Sequence, residues 1–292
     1  PRLKRAVFGS TCALLLTSGH AAPEPAGKSD ATKPNLIIIL TDDQGYGDVG
    51  FHGCRDIPTP NLDSIASNGV NFANGYVSYS VCSPSRAGLL TGRYEQRFGY
   101  ERNPRWEPLN PKSGLPLGET TLAGALKQVG YHSGIIGKWH LGAEADLHPL
   151  KRGFDEFFGF LGGGHRYFPD QLTLTDPFQA KNEGDSYRLK ILRNYTPVQT
   201  TQYLTDEFSD EAVHFVERHK DEPFFLYYPM ILTHDPFQPT PDSPDWDATI
   251  SSEAKQKNVK HFAEMTAYMD KMVERVVAKL DELKIRDNTL MI

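Results

Sequence analysis

The chain has 292 residues, 39% of them apolar and 23% charged, with a formal net charge of −6 at pH 7. That balance supplies a sizeable core for one large domain or two small ones and excludes disorder as the default, while 21 prolines and 25 glycines without a repeating period point to a loop-rich globular protein. The negative charge, with no long lysine or arginine run, offers no general attraction for nucleic acid or anionic membranes, so an anionic substrate has to be gripped by a local site.

The N-terminus carries Arg2, Lys4 and Arg5, an apolar run over residues 6–16, then Ser18, Gly19, Ala21 and Ala22. This is the grammar of a signal peptide over residues 1–22, cleaved near Ala21 or Ala22, with export to the periplasm, the medium or a lysosome. The run is too short to stay in a bilayer as a stable span; a buried N-terminal helix is the alternative. Cys12 falls inside the signal, leaving Cys54 and Cys82 in the mature chain, where one structural disulfide is the plain expectation for an exported protein. Residues 23–33, rich in Pro, Ala, Lys and Ser, read as a linker.

Residues 35–40 (NLIIIL) form a continuous apolar, β-branched run, the mark of a strand buried on both faces of a parallel sheet. A short helix follows over 60–68, with Leu62, Ile65 and Ala66 on one face and Gly69 as its stop. A second helix over 120–129 turns Leu122, Leu126 and Val129 inward and feeds a strand at 133–136. Residues 203–219 place Leu204, Phe208, Ala212, Phe215 and Val216 at helical spacing before a buried strand at 223–228 (PFFLYY). A long helical pattern over 255–283, through Phe262, Met265, Met269, Met272, Val276 and Leu280, precedes one more strand at 288–292. The alternation predicts an α/β fold: a mostly parallel central sheet with helices on both faces.

Ligands of such folds collect at the carboxyl ends of strands. Asp42 and Asp43 follow the first strand, Lys138 and His140 the second, and His234 the third. Adjacent aspartates there suit a hard cation such as Ca²⁺ or Mg²⁺, although a solvated turn with an aspartate cap explains a bare Asp-Asp pair as well. Surface positions would explain Lys138 and His140 equally, and a His-Asp-Pro turn would explain His234. His165 and Arg166, after Gly162-Gly163-Gly164, lie in a loop that could reach a substrate or simply face solvent.

A longer pattern weighs against those alternatives. Cys82-Ser83-Pro84-Ser85-Arg86, extended by Ala87-Gly88-Leu89-Leu90-Thr91-Gly92-Arg93, matches Cys-x-Pro-Ser-Arg-x-x-x-Leu-Thr-Gly-Arg at every fixed position. Thr41-Asp42-Asp43-Gln44-Gly45 stands before it; Gly137-Lys138-Trp139-His140-Leu141-Gly142 and Thr233-His234-Asp235-Pro236 stand after it. On these residues the chain resembles the formylglycine-dependent (type I) sulfatases, near the arylsulfatase and N-acetylgalactosamine-6-sulfatase group, over residues 34–292. The resemblance implies an alkaline-phosphatase/sulfatase-like fold and a sulfuric ester hydrolase.

It also implies roles. Cys82 becomes Cα-formylglycine through a formylglycine-generating or anaerobic sulfatase-maturating enzyme, and one hydroxyl of its hydrate attacks sulfur while the other later expels sulfate. Arg86 fixes the hydrate; Asp42, Asp43 and the modified Cys82 hold the cation, Ca²⁺ with Mg²⁺ as the alternative; Lys138 binds sulfate oxygens; His140 serves as base; and His234 hydrogen-bonds the ester oxygen. Pro84 suits the first turn of a helix running through Leu90, which sets position 82 near a helix N-terminus, where an anion is favoured. The substrate implied is a sulfated small molecule or glycan, with His165 and Arg166 as candidate contacts. The family's further Asp-Asn metal pair and second sulfate-binding lysine would follow the strand that starts near Asn288, in the middle of which the chain stops. The expectation is therefore an N-terminal part of a catalytic domain without its C-terminal subdomain. Two rivals stand beside this reading: a phosphonate or phosphodiester hydrolase of the same superfamily, and a non-catalytic binding protein that kept the fold.

Overall fold

The computed structural model describes residues 33–247 and 259–292. The expected signal peptide, nearly all of the linker and the first turn of the last helix lie outside the described residues. Strands β1 (Asn35–Leu40), β2 (His132–Lys138), β3 (Glu156–Phe160), β4 (Leu192–Arg193), β5 (Thr196–Pro197), β6 (Phe224–Pro229) and β7 (Thr289–Met291) form one sheet in the order β5-β4-β3-β2-β6-β1-β7. Every pairing is parallel except the two that involve β4, which joins β3 and β5 antiparallel.

Alternate residues of the central strand β6 feed two cores, because successive side chains of a strand point to opposite faces. Phe224, Leu226 and Tyr228 pack with α5 (Leu204–Arg218) and α6 (Val259–Glu282), through Phe208, Phe215, Met269 and Val276 among others. Phe225 and Tyr227 face the other way, toward Ala87 and Leu90 of α2 (Cys82–Thr91) and Ala123 of α3 (Leu122–Lys127). Helix α1 (Pro60–Ser67) is held on α6 by Asp270, whose carboxylate accepts the backbone N–H groups of Asn61 and Leu62 at 3.1 and 2.8 Å. That buried aspartate supplies acceptors to the otherwise orphaned first turn of α1.

Strand β7 pairs with β1 at the end of the described sheet order and leaves Leu290 55% exposed, whereas all six residues of β6 are buried. Val129, expected to turn inward, is 52% exposed because α3 ends at Lys127. Strand β3 escapes the sequence patterns because a charge opens it and Gly159 interrupts it. Gly159 is required there, since a Cβ would run into the carbonyl of its register partner Gly137.

Gly137 is constrained twice, by φ 119° and by the Pro229 carbonyl where a Cβ would stand. Gly137→Ala should lower unfolding free energy by about 3 kcal/mol or more, against less than about 0.5 kcal/mol for Gly118→Ala, whose Cβ meets nothing within 4 Å. Urea denaturation of the two variants checks this.

Candidate active site

Strands β1, β6 and β2 are neighbours and run parallel, so their carboxyl ends share one edge of the sheet. Beyond the strands the pairing continues. Met230 N donates to Leu40 O at 2.8 Å, Asp42 N to Leu232 O at 2.9 Å, and Thr233 N to Asp42 O at 2.7 Å. Trp139 N and His140 N extend the β2–β3 ladder to Phe160 O and Leu161 O at 3.0 and 3.2 Å. This stitching brings Asp42, Asp43, His140 and His234 to one spot. Asp43 and His140 adopt φ 57° and 56°, a left-handed conformation rare for residues with a side chain, at the two places where the chain turns into the site.

Helix α2 begins at Cys82, with Pro84 buried in its first turn and Gly92 at φ 63° ending it. Ser83 ties this N-terminus down. Its Oγ donates to His140 O at 2.5 Å, so the 2.7 Å contact with Tyr100 is a bond that the tyrosine hydroxyl donates, and Ser83 N donates to Asn103 Oδ1 at 3.0 Å. Burial pushes Tyr100 up to about 12, which keeps that hydroxyl protonated.

Beside Cys82 lies a buried charge cluster. Asp42, 3% exposed, meets Lys138 Nζ at 2.6 Å and Arg86 Nη2 at 3.2 Å, while Arg86 Nη1 donates to Lys138 O at 3.0 Å. Burial alone would raise the Asp42 carboxyl, but Lys138 and Arg86 outweigh it and hold it below its ordinary value. His140 is driven well below its ordinary value by burial and by the charges of Lys138, Arg86 and His234, so its ring is neutral. Its buried Nδ1 has no partner among the described residues. His234 Nδ1 bonds Asp235 O at 2.7 Å, which turns Nε2 toward Cys82 and Asp43, the latter at 3.8 Å. Burial would raise the Cys82 thiol, but its hydrogen bond with His234 and the charge of Lys138 lower it. The ligating atoms of Asp42, Asp43 and Cys82 all lie within 4.8 Å of one another.

Cys82, His140 and His234 open into a cavity of about 620 Å³. Its other walls come from residues 103–107 and 181–183, with Gly163 and Tyr187. The glycine run is a packing device: a Cβ on Gly163 would lie 2.8 Å from His140 Cε1 and Nε2, and one on Gly164 would lie 2.7 Å from the Tyr187 ring.

A family model described as sulfatase matches residues 34–292. The chain belongs to the sulfatase family. It is 38% identical over 239 residues to human arylsulfatase G, covering 74% of this chain and 44% of that protein. It is 33% identical over 279 residues to human N-acetylgalactosamine-6-sulfatase, covering 92% of this chain and 49% of that protein. The crystal structure of Ps i-CgsB superposes with a TM-score of 0.78 at 39% identity, over 89% of this chain and 57% of that one, and the same protein has been solved in complex with k-i-k-neocarrahexaose. The chain spans about half the length of the curated relatives it matches.

Of the sulfatase residues expected from sequence, Asp42, Asp43, Cys82, Arg86, Lys138, His140 and His234 converge. His165 and Arg166 do not join them. His165 is fully buried with its ring 4.7 Å from Phe160 and its pKa lowered to about 4 by burial, and half-buried Arg166 lies outside the cavity lining. The physical reason is that the glycine run packs closely instead of looping out. Cys54 and Cys82 are both free, so the disulfide alternative is not realised. Sequence reasoning missed Ser83, Tyr100 and Asn103, and the far wall with Trp106, Glu183 and Tyr187; only the position of Ser83 inside the motif offered a signal.

Asp42→Asn strips both buried cations of their counter-charge and should cost about 3–5 kcal/mol in the metal-free protein at neutral pH. Because the folded pKa is lowered, this contribution is full above 3.8 and fades as pH falls through the lower folded value. Urea midpoints of both proteins from pH 7 downward test it: the gap should close only at acid pH.

Proposed function

We propose that the whole protein is an exported sulfuric ester hydrolase acting on a sulfated carbohydrate, with a Cys82-derived formylglycine as nucleophile and a divalent cation at Asp42 and Asp43. The observation that carries this is the convergence of Cys82, at the start of α2, with two carboxylates, two buried cations and two imidazoles, of which Cys82 and both imidazoles line one cavity. For export, the support is the N-terminal pattern of residues 1–22.

The donor set fits the cation on condition that Cys82 changes. Ca²⁺ and Mg²⁺ take oxygen ligands, and two carboxylates meet that demand, but a thiol is a soft ligand suited to other metals. Conversion by a maturating enzyme makes the set all-oxygen. Once both are present, the formylglycine hydrate supplies a hydroxyl nucleophile and the cation lowers the pKa of that hydroxyl.

The chain's own residues do the rest. Lys138 and Arg86, buried and fixed, stabilise negative charge on sulfate oxygens where water cannot screen it. Neutral His140, whose buried Nδ1 has no partner among the described residues, takes a proton. His234 Nδ1 donates to Asp235 O, so it is the protonated ring, favoured by a raised pKa, whose Nε2–H donates to the ester oxygen of the departing alcohol.

Turnover of 4-nitrophenyl sulfate and of the matching phosphate and phosphonate esters by the whole protein, co-expressed with a formylglycine-generating enzyme, tests this. The sulfate ester should be preferred, chelation should abolish its turnover, and Lys138→Met should lower kcat by about 10²-fold or more. Preference for the phosphorus esters would reassign the reaction.

A further inference from the structure

The cavity wall formed by residues 103–107 and 181–183 carries two half-buried carboxylates, Glu107 and Glu183. Glu183 opens the short helix α4 (Glu183–Ser186), whose backbone is fixed by Asn182 Oδ1 accepting from Asp185 N at 3.0 Å and by Ser186 Oγ donating to Glu183 O at 2.7 Å. Glu183 Oε1 accepts the Gly163 N–H at 3.1 Å. A Cβ on Gly163 would lie 2.9 Å from that oxygen and 2.8 Å from the His140 ring, so Glu183 and His140 flank one glycine at the cavity wall. Glu107, also half-buried, lines the same space, whereas Lys181 and Arg105 are exposed.

Lys138 and Arg86, buried against Asp42, serve the sulfate at Cys82, whereas on the wall formed by residues 103–107 and 181–183 the half-buried charges are Glu107 and Glu183, screened less than the exposed Arg105 and Lys181. A carboxylate accepts O–H donors and repels a second anion. Resting on the sulfatase reading, we infer that Glu183 selects the substrate: it accepts a free hydroxyl of the sugar ring presented to Cys82 and excludes a second sulfate from that ring. Glu107 adds to the exclusion.

Calorimetric binding in a Cys82→Ala background, which cannot turn substrate over, tests this. The ligands are the 4- and 6-sulfates of galactose and N-acetylgalactosamine, together with N-acetylgalactosamine 4,6-disulfate. At least one singly sulfated sugar should bind about tenfold or more tighter than the disulfate. Glu183→Gln, which keeps an acceptor for Gly163 N, should narrow the ratio to about twofold by strengthening disulfate binding, with Tm unchanged, and Glu107→Gln should narrow it less. Disulfate binding as tight as the best single sulfate, a ratio that survives both substitutions, or no saturable binding by any of these sugars would overturn the inference. Hydrolysis of 4-nitrophenyl sulfate by the unsubstituted protein reports separately on the sulfatase reading. Turnover without sugar discrimination sinks the selection by Glu183 alone, and discrimination without turnover sinks the activity alone.

Discussion

Arg86 and Lys138 are almost wholly removed from water, and the Asp42 carboxylate shared between them is what makes that burial tolerable. Unpaired, each cation would carry a desolvation penalty of several kcal/mol. Joined, the three residues lock together the exit of β1, the last residue of β2 and the second turn of α2. The location of Cys82 follows, because Arg86 lies four residues further along the same helix and so on the same face. A charge cluster that organises the fold thus also sets where Cys82 stands.

The sheet makes that meeting possible. Three adjacent parallel strands end at one edge, and hydrogen bonds past their ends carry the chain on in register until Asp43 and His140 bend away in left-handed turns. Glycines hold the spacing: Gly137 and Gly159 let neighbouring backbones approach, and Gly163 leaves room for the His140 ring. None of these contributes a functional group. Each sets how closely such groups stand.

Much of this was legible in the sequence, for identifiable reasons. β1, β2, β6, α5 and α6 carry runs or periodicities strong enough to be read from one chain, and the residues after the first three strands converge because parallel strands end together. The twelve-residue motif fixed attention on Cys82 and on the helix that follows it. What was not legible depended on tertiary packing. β3 is short and broken by a glycine whose reason lies in the neighbouring strand. The run before His165 reads as a loose loop until Tyr187 and His140 are seen packed against it. The far wall of the cavity, with Trp106 and Glu183, comes from irregular segments without period or motif, and only folding brings them opposite Cys82.

The central claim is that Cys82 is the precursor of the nucleophile. Mass spectrometry of the peptide spanning residues 76–93, from protein co-expressed with a formylglycine-generating enzyme, tests it most directly. The account predicts a loss of about 18 Da at Cys82, or no net change when the aldehyde is read as its hydrate, with no thiol left to alkylate. A Cys82 that stays an alkylatable thiol, or that pairs with Cys54, would contradict it.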